Sequence, residues 1–381
     1  MTELAPLRHR ALRIGLLATI ACIAGAIYDP EQAVRSYLIG YLFWLGIALG
    51  ALAILAIHFL AGGAWSAVLR RPLEAATRTF PLLALLFLPL AAGTTTLYEW
   101  AHPGVMEHDP ILAAKASYLN VPFFYLRAAL YFSAWILLSF FLNRLSIAED
   151  ENADPKATQR LEMLGRGTLV VYGLTTTFAS IDWVMSLEPH WFSMIFGLLI
   201  MGEQVLSAFT FAIPVLLYLR WRGWIGDVVK PQQMRDLGSF LLAFVMIWAY
   251  LSLSQLLIIW SANLPEEISW YLRRSTGGWK LLATALVLFH FAVPFFVLLS
   301  RNAKTHAVVL GGVALWILFG RWIELVLLIV PSYETTGFTL HPMDLATPVA
   351  VGGVWLWAYL GHLGRHPLIP RNDPSLSENS P

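Results

Sequence analysis

Apolar residues in this chain fall in long blocks separated by short polar segments, without the short period of an amphipathic helix or strand. A helix needs about 20 residues to cross the hydrocarbon core of a bilayer. Only helices or closed barrels can satisfy the backbone groups in lipid. The pattern therefore predicts an all-α, polytopic membrane protein of about ten transmembrane helices. The expected spans are 11–28, 36–61, 79–97, 120–142, 167–187, 191–219, 236–260, 278–299, 307–330 and 345–363.

The first span has two interpretations. Three arginines precede a short apolar run that ends in small residues, as in a signal peptide: Arg8, Arg10 and Arg13. The next apolar block begins about eight residues after Tyr28, which favours a retained helix. We expect 1–363 to form one transmembrane domain.

The segments between the spans predict no soluble domain. The longest expected loops are 98–119, 143–166 and 261–277. Four carboxylates in the second of these are expected to be solvated: Glu149, Asp150, Glu151 and Asp154. The polar tail 364–381 is rich in Pro, Asn and Ser, so we expect it to lie along a partner or to be disordered.

Composition and charge agree with this assignment. The chain has 381 residues, 58% hydrophobic and only 13% charged, which is too little charge for a soluble surface. With the N-terminus inside, the inner segments carry 18 Lys and Arg and the outer segments five. This bias places both termini in the cytoplasm. The net charge of +1 indicates no nucleic-acid partner.

Cysteine usage limits the cofactors. The single cysteine, Cys22, excludes an iron–sulfur cluster or a disulfide within this chain. No CxxCH motif for covalent haem occurs. We therefore expect no metal or haem bound by this chain alone.

Ionisable residues inside the predicted spans are the most informative feature of the sequence. A charge at mid-bilayer costs about 2.5–3.5 kcal/mol even on the lenient insertion scale, so these groups must face inward and be paired, hydrated or neutralised. Arg321 and Glu324 are three residues apart and share a helix face. Arg127 and Asp182 are expected near the outer surface, where they can pair. Both pairings are equally well explained as structural.

Two groups are expected closer to the centre of the membrane. Glu203 is a carboxyl that can take up and release a proton, or it can serve as a structural hydrogen-bonding group. His290 precedes Pro294, which cannot donate to the His290 carbonyl, so an imidazole and a free carbonyl are expected together. Hydrogen-bonded packing, proton transfer and haem ligation all remain open for His290.

Further polar candidates lie towards the outer side. Tyr250 and Gln255 are uncharged polar residues of one span. His341 and Asp344 precede the last span and can line an entrance, or Asp344 can simply cap the helix. No residue is assigned a catalytic role.

Three segments carry a family resemblance. NVPFFYLRAALYF at 120–132, ASIDWVMSLEPHWFSMIFG at 179–197 and GFTLHPMDLATPVAVGGVW at 337–355 resemble the F-type membrane subunit of bacterial alternative complex III. That subunit belongs to the polysulfide-reductase-like (NrfD-like) family. The resemblance extends to the tail HPLIPRNDPSL at 366–376.

The resemblance implies a quinol:electron-acceptor oxidoreductase of the respiratory chain in the bacterial inner membrane, with cytochrome c or an oxidase as acceptor. The implied fold is two four-helix bundles with two peripheral helices. The implied partners are a C-type paralogous membrane subunit, an iron–sulfur subunit, c-type cytochrome subunits and a terminal oxidase. These partners would hold the haem c and the iron–sulfur clusters. For this chain a proton-conducting path is implied, with quinol or menaquinol binding in doubt.

Four functions therefore remain open from the sequence. The first is a membrane subunit with a proton path through Glu203, His290 and the outer charges. The others are a quinol-binding subunit in its own right, a secondary transporter and a structural anchor for redox subunits.

Overall fold

The computed structural model describes residues 4–151, 155–334, 337–370 and 373. Every regular element in these residues is helical. The first half contains α1 Ala5–Tyr28, α2 Pro30–Ala61, α3 Ala64–Ala67, α4 Arg70–Thr77, α5 Phe80–Leu86, α6 Leu88–Ala92, α7 Thr94–Leu97, α8 Val105–His108, α9 Pro110–Lys115, α10 Val121–Glu151 and α11 Pro155–Trp183. The second contains α12 Phe196–Trp221, α13 Pro231–Ala262, α14 Pro265–Arg274, α15 Gly277–Ala285, α16 Val293–Leu299, α17 Arg301–Thr305, α18 Ala307–Ile329 and α19 Pro342–Leu363.

Within the described ranges, nine helical segments are long and apolar enough to cross a membrane. They correspond to nine of the ten predicted spans. The tenth, α11, has 29 residues, and its first turns carry Lys156, Arg160, Glu162 and Arg166. Together with Thr175, Thr176 and Thr177 further along, these charges make α11 more polar than the other nine segments. The chain is thus a polytopic helical protein whose apolar helices indicate a multi-pass membrane location.

Several helices run beyond the predicted span boundaries. The expected loop 143–166 is largely helical, because α10 continues to Glu151 and α11 begins at Pro155. The third span begins as α4 and continues through α5 and α6. Prolines open each of these short helices in their first turns, where a missing N–H is tolerated.

The most buried long helix is α2, which packs against α4, α11, α12 and α19. Glycine makes the closest of these approaches, since a Cβ on Gly50 would lie 1.9 Å from the backbone oxygen of Gln204 in α12. Likewise, a Cβ on Gly40 would lie 2.6 Å from the Thr347 carbonyl carbon in α19. These small residues allow the helix backbones to approach closely, as in other membrane bundles.

The first and last long helices, α1 and α19, pack antiparallel along a seam. Gly15 faces Gly353 near the middle, Gly25 faces Met343 at one end, and Arg8 contacts Gly361 at the other. The N-terminal end of α1 and the C-terminal end of α19 therefore lie on the same side of the molecule. We call this side the terminal face and the other side the opposite face.

The helix that contains His290 departs from regular α geometry. A π-helical segment, Leu286–Ala292, lies between α15 and α16. Pro294 follows it in the first turn of α16. The sequence predicts that Pro294 disturbs this helix because it lacks an N–H, and the hydrogen-bonding pattern of the helix does change beside it. Short π-helical segments of this kind are often found at functional sites.

Candidate functional site

A cluster of charged and aromatic side chains lies buried between four helical segments. We call it the Glu203 cluster: it consists of Glu203 on α12, Trp248 on α13, His290 on the π-helical segment, and Arg321 and Glu324 on α18. Apart from Glu324, none of these residues is more than 6% exposed. Four separate segments of the sequence therefore converge on one polar site inside an apolar bundle.

Arg321 is the centre of this cluster. Its Nη1 lies 2.8 Å from Oε2 of Glu324 and forms an ion pair with Oε2 of Glu203. The predicted pairing of Arg321 with Glu324 is confirmed. The other oxygen of Glu324 accepts a hydrogen bond from Nε1 of Trp248 at 2.5 Å. One guanidinium thus serves two carboxylates.

His290 lies beside this ion-paired group without joining it directly. Its ring packs edge-on against Trp248, with centroids 4.8 Å apart, and against Gly320, where a Cβ would lie 2.2 Å from Nδ1. His290 is within electrostatic range of Glu324 and Arg321. Among the described residues, neither ring nitrogen has a hydrogen-bond partner although both are buried. The site therefore contains an imidazole whose donor and acceptor positions are both unused.

Glu203 lies nearer to the opposite face than its predicted mid-membrane position. The predicted span begins at 191, but α12 begins at Phe196, because Glu188–Trp191 form a turn in a non-helical stretch around Pro189. At 1.5 Å per residue, Glu203 is only about 10 Å along the helix from its first residue, Phe196. The structure nevertheless brings Glu203 and His290 into one cluster, through Arg321 and Glu324.

Arg127 and Asp182 form a second buried site, and their predicted pairing is also confirmed. Nε and Nη2 of Arg127 each lie 2.8 Å from a different carboxylate oxygen of Asp182. The Tyr131 hydroxyl donates to Asp182 at 2.8 Å. The Arg127 guanidinium also lies over the Tyr118 ring, 3.9 Å from its centroid. This bidentate, hydrogen-bonded arrangement ties α10 to α11 near the opposite face.

The remaining sequence candidates lie apart from the Glu203 cluster. Tyr250 is 69% exposed on the outer surface of α13. Gln255 is buried and accepts a hydrogen bond from Ser193 at 3.3 Å. Asp344 caps α19 by accepting from the His341 N–H at 2.9 Å, and it accepts from Ser36 at 2.6 Å. The capping alternative for Asp344 is thus the geometry observed.

A third buried ionic site, at the terminal face, was not predicted from the sequence. We call it the terminal-face network: it comprises His58, Arg70, Arg71, Glu74, Ser146, Glu149, Asp150 and Asp373. Arg70, which is 1% exposed, lies 2.7 Å from Glu149, 3.2 Å from Glu74 and 3.0 Å from Asp373. Arg71 forms ion pairs with Glu74 and Asp150.

The expectation that the acidic run is solvated is therefore wrong for Glu149 and Asp150. The extra turns of α10 carry both residues back against the α4 arginines, whose charges they neutralise. Glu151 is exposed, as expected, and Asp154 lies outside the described residues. The sequence does contain two arginines at 70–71 and two carboxylates at 149–150. Their matching numbers could have indicated that the two pairs of residues neutralise each other.

The composition of the tail predicts that it lies along a partner or is disordered, but its described part is instead ordered against this chain. Leu368 and Ile369 pack against the core. Asp373 is 4% exposed, with Oδ2 3.1 Å from Nε2 of His58. The contacts of this buried carboxylate with Arg70 and His58 provide a reason for the tail to fold back, which its polar composition does not reveal.

The opposite face has a smaller network around Glu188, which lies in the SLEPHWFS segment. Its carboxylate is 2.8 Å from Arg274 and 3.2 Å from Arg273, and it accepts from Ser332 at 2.9 Å. Burial lowers the pKa of Arg274 to about 10, and the nearby Glu188 charge opposes that decrease. Arg274 thus remains a cation at neutral pH and ties α14 to the segment after α11.

Within the described ranges, no group of three or more His, Cys, Asp and Glu side chains is arranged to hold a metal ion. The Glu203 cluster supplies proton donors, proton acceptors and charge. Comparison with known protein families and with curated proteins finds no match to this sequence.

Proposed function

We propose that this chain is the F-type membrane subunit of an alternative complex III, in which the Glu203 cluster carries protons for a quinol:electron-acceptor oxidoreductase. The observation that supports the proton-carrying role is the sharing of one buried guanidinium by two carboxylates, beside an unpaired imidazole. The subunit assignment rests on the sequence resemblance.

The charge balance of the cluster gives it a proton-binding function. With Glu203, Glu324 and Arg321 all ionised, the site has one excess negative charge in an apolar bundle. Burying unbalanced charge is costly, so a single proton on either carboxylate or on His290 restores neutrality. Two acidic groups that share one compensating charge can exchange such a proton with little change in the site.

Polar neighbours extend from the cluster towards the interior of the bundle. Gln204 follows Glu203 on α12 and accepts a hydrogen bond from the Tyr172 hydroxyl at 2.9 Å. Thr176 lies one turn nearer to the opposite face on α11 than Tyr172, and its buried hydroxyl has no hydrogen-bond partner in the described part of the chain. In the proposed role, the route leads from the cluster through Gln204 and Tyr172 towards the terminal face.

The proposal extends to the placement of the subunit. The chain crosses the bacterial inner membrane ten times, with α11 as the tenth crossing and the terminal face in the cytoplasm. One four-helix bundle comprises α2, α4–α6, α10 and α11, and the other comprises α12, α13, α15–α16 and α18. Helix α10 packs on α11 within the first bundle, α12 packs on α13 and α18 within the second, and the close contact of α2 with α12 joins the two. Redox cofactors reside in the partner subunits.

The decisive experiment uses Glu203→Gln in the reconstituted complex. The substitution preserves volume and hydrogen bonding but removes the titrating group, so assembly should be normal. Proton translocation into liposomes should fall by roughly tenfold or more, while electron transfer persists. The matched control is Glu162→Gln, because that carboxylate is exposed on α11; it should translocate protons at the wild-type rate.

Two outcomes would contradict separate parts of the proposal. If the Glu203→Gln complex changes the pH inside the liposomes at the wild-type rate, the proton-carrying role is excluded. Purification of the chain from its native membrane without c-type cytochrome or iron–sulfur partners would exclude the subunit assignment and favour an independent transporter.

A further inference from the structure

A cationic patch lies at the terminal face beside the α1–α19 seam. We define the basic patch as Arg8 on α1, Arg78 at the end of α4, His362 at the end of α19, and the following Arg365 and His366. Arg365 is exposed and the other four are half-buried. Arg8, Arg78, Arg365 and His366 all lie within electrostatic range of His362.

The patch has little internal compensation. Glu74 forms an ion pair with Arg78 at 3.5 Å and also acts on His366, but its two oxygens are shared with Arg70 and Arg71 in the terminal-face network. In the described part of the chain, neither Arg8 nor Arg365 has a carboxylate partner. Burial, followed by the charge of Arg78, lowers the pKa of His366, as expected where cations crowd together.

Arg8 is held in place with most of its donors unused. Its Nε donates to the Trp357 carbonyl at 3.1 Å, and its guanidinium lies over the Trp357 ring, 4.5 Å from the centroid. Among the described residues, neither terminal nitrogen has a hydrogen-bond partner. A fixed guanidinium with two free NH₂ groups matches the bidentate geometry of a phosphate.

The location specifies the source of the phosphate. Gly15 is the only buried residue of α1, and the large apolar side chains Leu16, Leu17 and Ile20 are 49% to 69% exposed. A helix this apolar and this exposed offers lipid chains a surface along its length. The basic patch lies at the end of that surface, at the depth of lipid headgroups.

We propose that the basic patch binds the headgroup phosphate of an anionic phospholipid, whose acyl chains lie along α1. The bound lipid would supply the negative charge that the protein lacks there. It would thereby tie α1 to α19 and to the end of α4. Basic pockets between membrane helices bind anionic lipids in this way.

The test measures thermal unfolding of the full-length protein in neutral detergent, with added phosphatidylglycerol, phosphatidylcholine or inorganic phosphate. Phosphatidylglycerol should raise the unfolding midpoint, and the other two should not. For Arg8→Gln/Arg365→Gln the concentration that gives half of the effect should be roughly 30-fold higher. Arg10→Gln/Arg13→Gln removes the same charge from exposed positions of the same helix and should respond as the wild type.

Each alternative result would overturn the proposal. Equal loss of response in both double variants would mean general attraction to anionic lipid. Equal stabilisation by phosphatidylcholine would mean that charge is irrelevant, and protection by inorganic phosphate would mean an anion site without a lipid. Because Arg8 packs against Trp357, its variant can fail to fold. In that case Arg365→Gln alone, at an exposed position, should weaken the response about fivefold, and an unchanged response would reject the site.

Discussion

At the scale of single residues, the pair of Arg127 and Asp182 shows how buried charge is accommodated in this bundle. Arg127 and Asp182 share two hydrogen bonds of 2.8 Å, and Asp182 is fully buried. Such a pair gains Coulomb energy only after both groups have lost their hydration. The pair itself therefore adds little net stability, whereas removal of one member leaves an uncompensated charge in the bundle.

This asymmetry leads to a prediction for Asp182. Asp182→Ala should destabilise the protein by about 3–5 kcal/mol, because Arg127 is left without its partner. The apolar double variant Arg127→Met/Asp182→Leu should recover most of that loss, since no charge remains buried. Denaturant unfolding of the full-length protein in detergent measures both. Glu162→Ala, which breaks the exposed pair with Arg166, should cost at most about 1 kcal/mol. A double variant as unstable as the sum of its single substitutions would refute the argument.

The sequence predicted those residue contacts that follow from short-range geometry or from charge balance. Arg321 and Glu324 share a helix face by their spacing, and Arg127 and Asp182 are of opposite charge at one expected depth. The sequence could not place Tyr250, because which side of α13 meets lipid depends on the packing of its neighbours. It placed Glu203 too deep, because the non-helical stretch before α12 is apolar enough to pass for helix.

At the scale of elements, hydropathy locates the apolar centre of each helix but not its ends. The predicted loop 143–166 has a polar composition, yet α10 extends through Glu149 and Asp150 because Arg70 and Arg71 bind them. A helix end of this kind is stabilised by partners about 80 residues away in the chain. Composition within a local window cannot reveal such partners.

The tail offers a test of this long-range stabilisation. Asp373→Ala removes a buried carboxylate from His58 and Arg70, but Arg70 keeps Glu74 and Glu149. We expect a loss of about 1–3 kcal/mol and faster proteolytic removal of a C-terminal epitope. Arg70→Ala should cost about 3–5 kcal/mol or more, because three buried carboxylates would lose their shared cation.

The control for the tail experiment is Glu378→Ala, which removes the same charge further along the tail. Proteolysis of the epitope should then proceed at the wild-type rate. Equal acceleration in Asp373→Ala and Glu378→Ala would show that tail charge in general, rather than the contact with His58 and Arg70, holds the tail.

At the scale of the whole molecule, the sequence predicts an all-helical, multi-pass protein, and the structure agrees. The close approach of α2 to α12 and α19 at Gly50 and Gly40 is a tertiary property that no local pattern shows. The convergence of Glu203, His290 and Arg321 is another. Shared polarity suggested that the three act together, but only packing determines that α12, α18 and the π-helical segment face one another.

The position of α11 decides the topology of the molecule. The ends of α1 and α19 lie on one face, so the number of crossings must be even, and nine helical segments in the described ranges are apolar enough to cross. Near one end of α11, Asp182 bonds to Arg127 at the start of α10. Near the other, Thr158 donates to Glu149 at the far end of α10 at 3.0 Å. The polar helix α11 thus runs antiparallel to α10 over nearly its full length, and we predict that it is the tenth crossing.

Site-specific labelling tests this crossing directly. In a Cys22→Ser background, single cysteines replace Gln159, which is exposed near the start of α11, and Met194, which is 97% exposed after its end. A membrane-impermeant maleimide should label the two positions from opposite sides of sealed vesicles. Exposed reference positions are Gln232 on the terminal face and Glu107 on the opposite face. The proposed orientation places Gln159 and Gln232 in the cytoplasm. Labelling of Gln159→Cys and Met194→Cys from the same side would mean that α11 does not cross. The two termini would then lie on different sides of the membrane, in conflict with the antiparallel seam of α1 and α19.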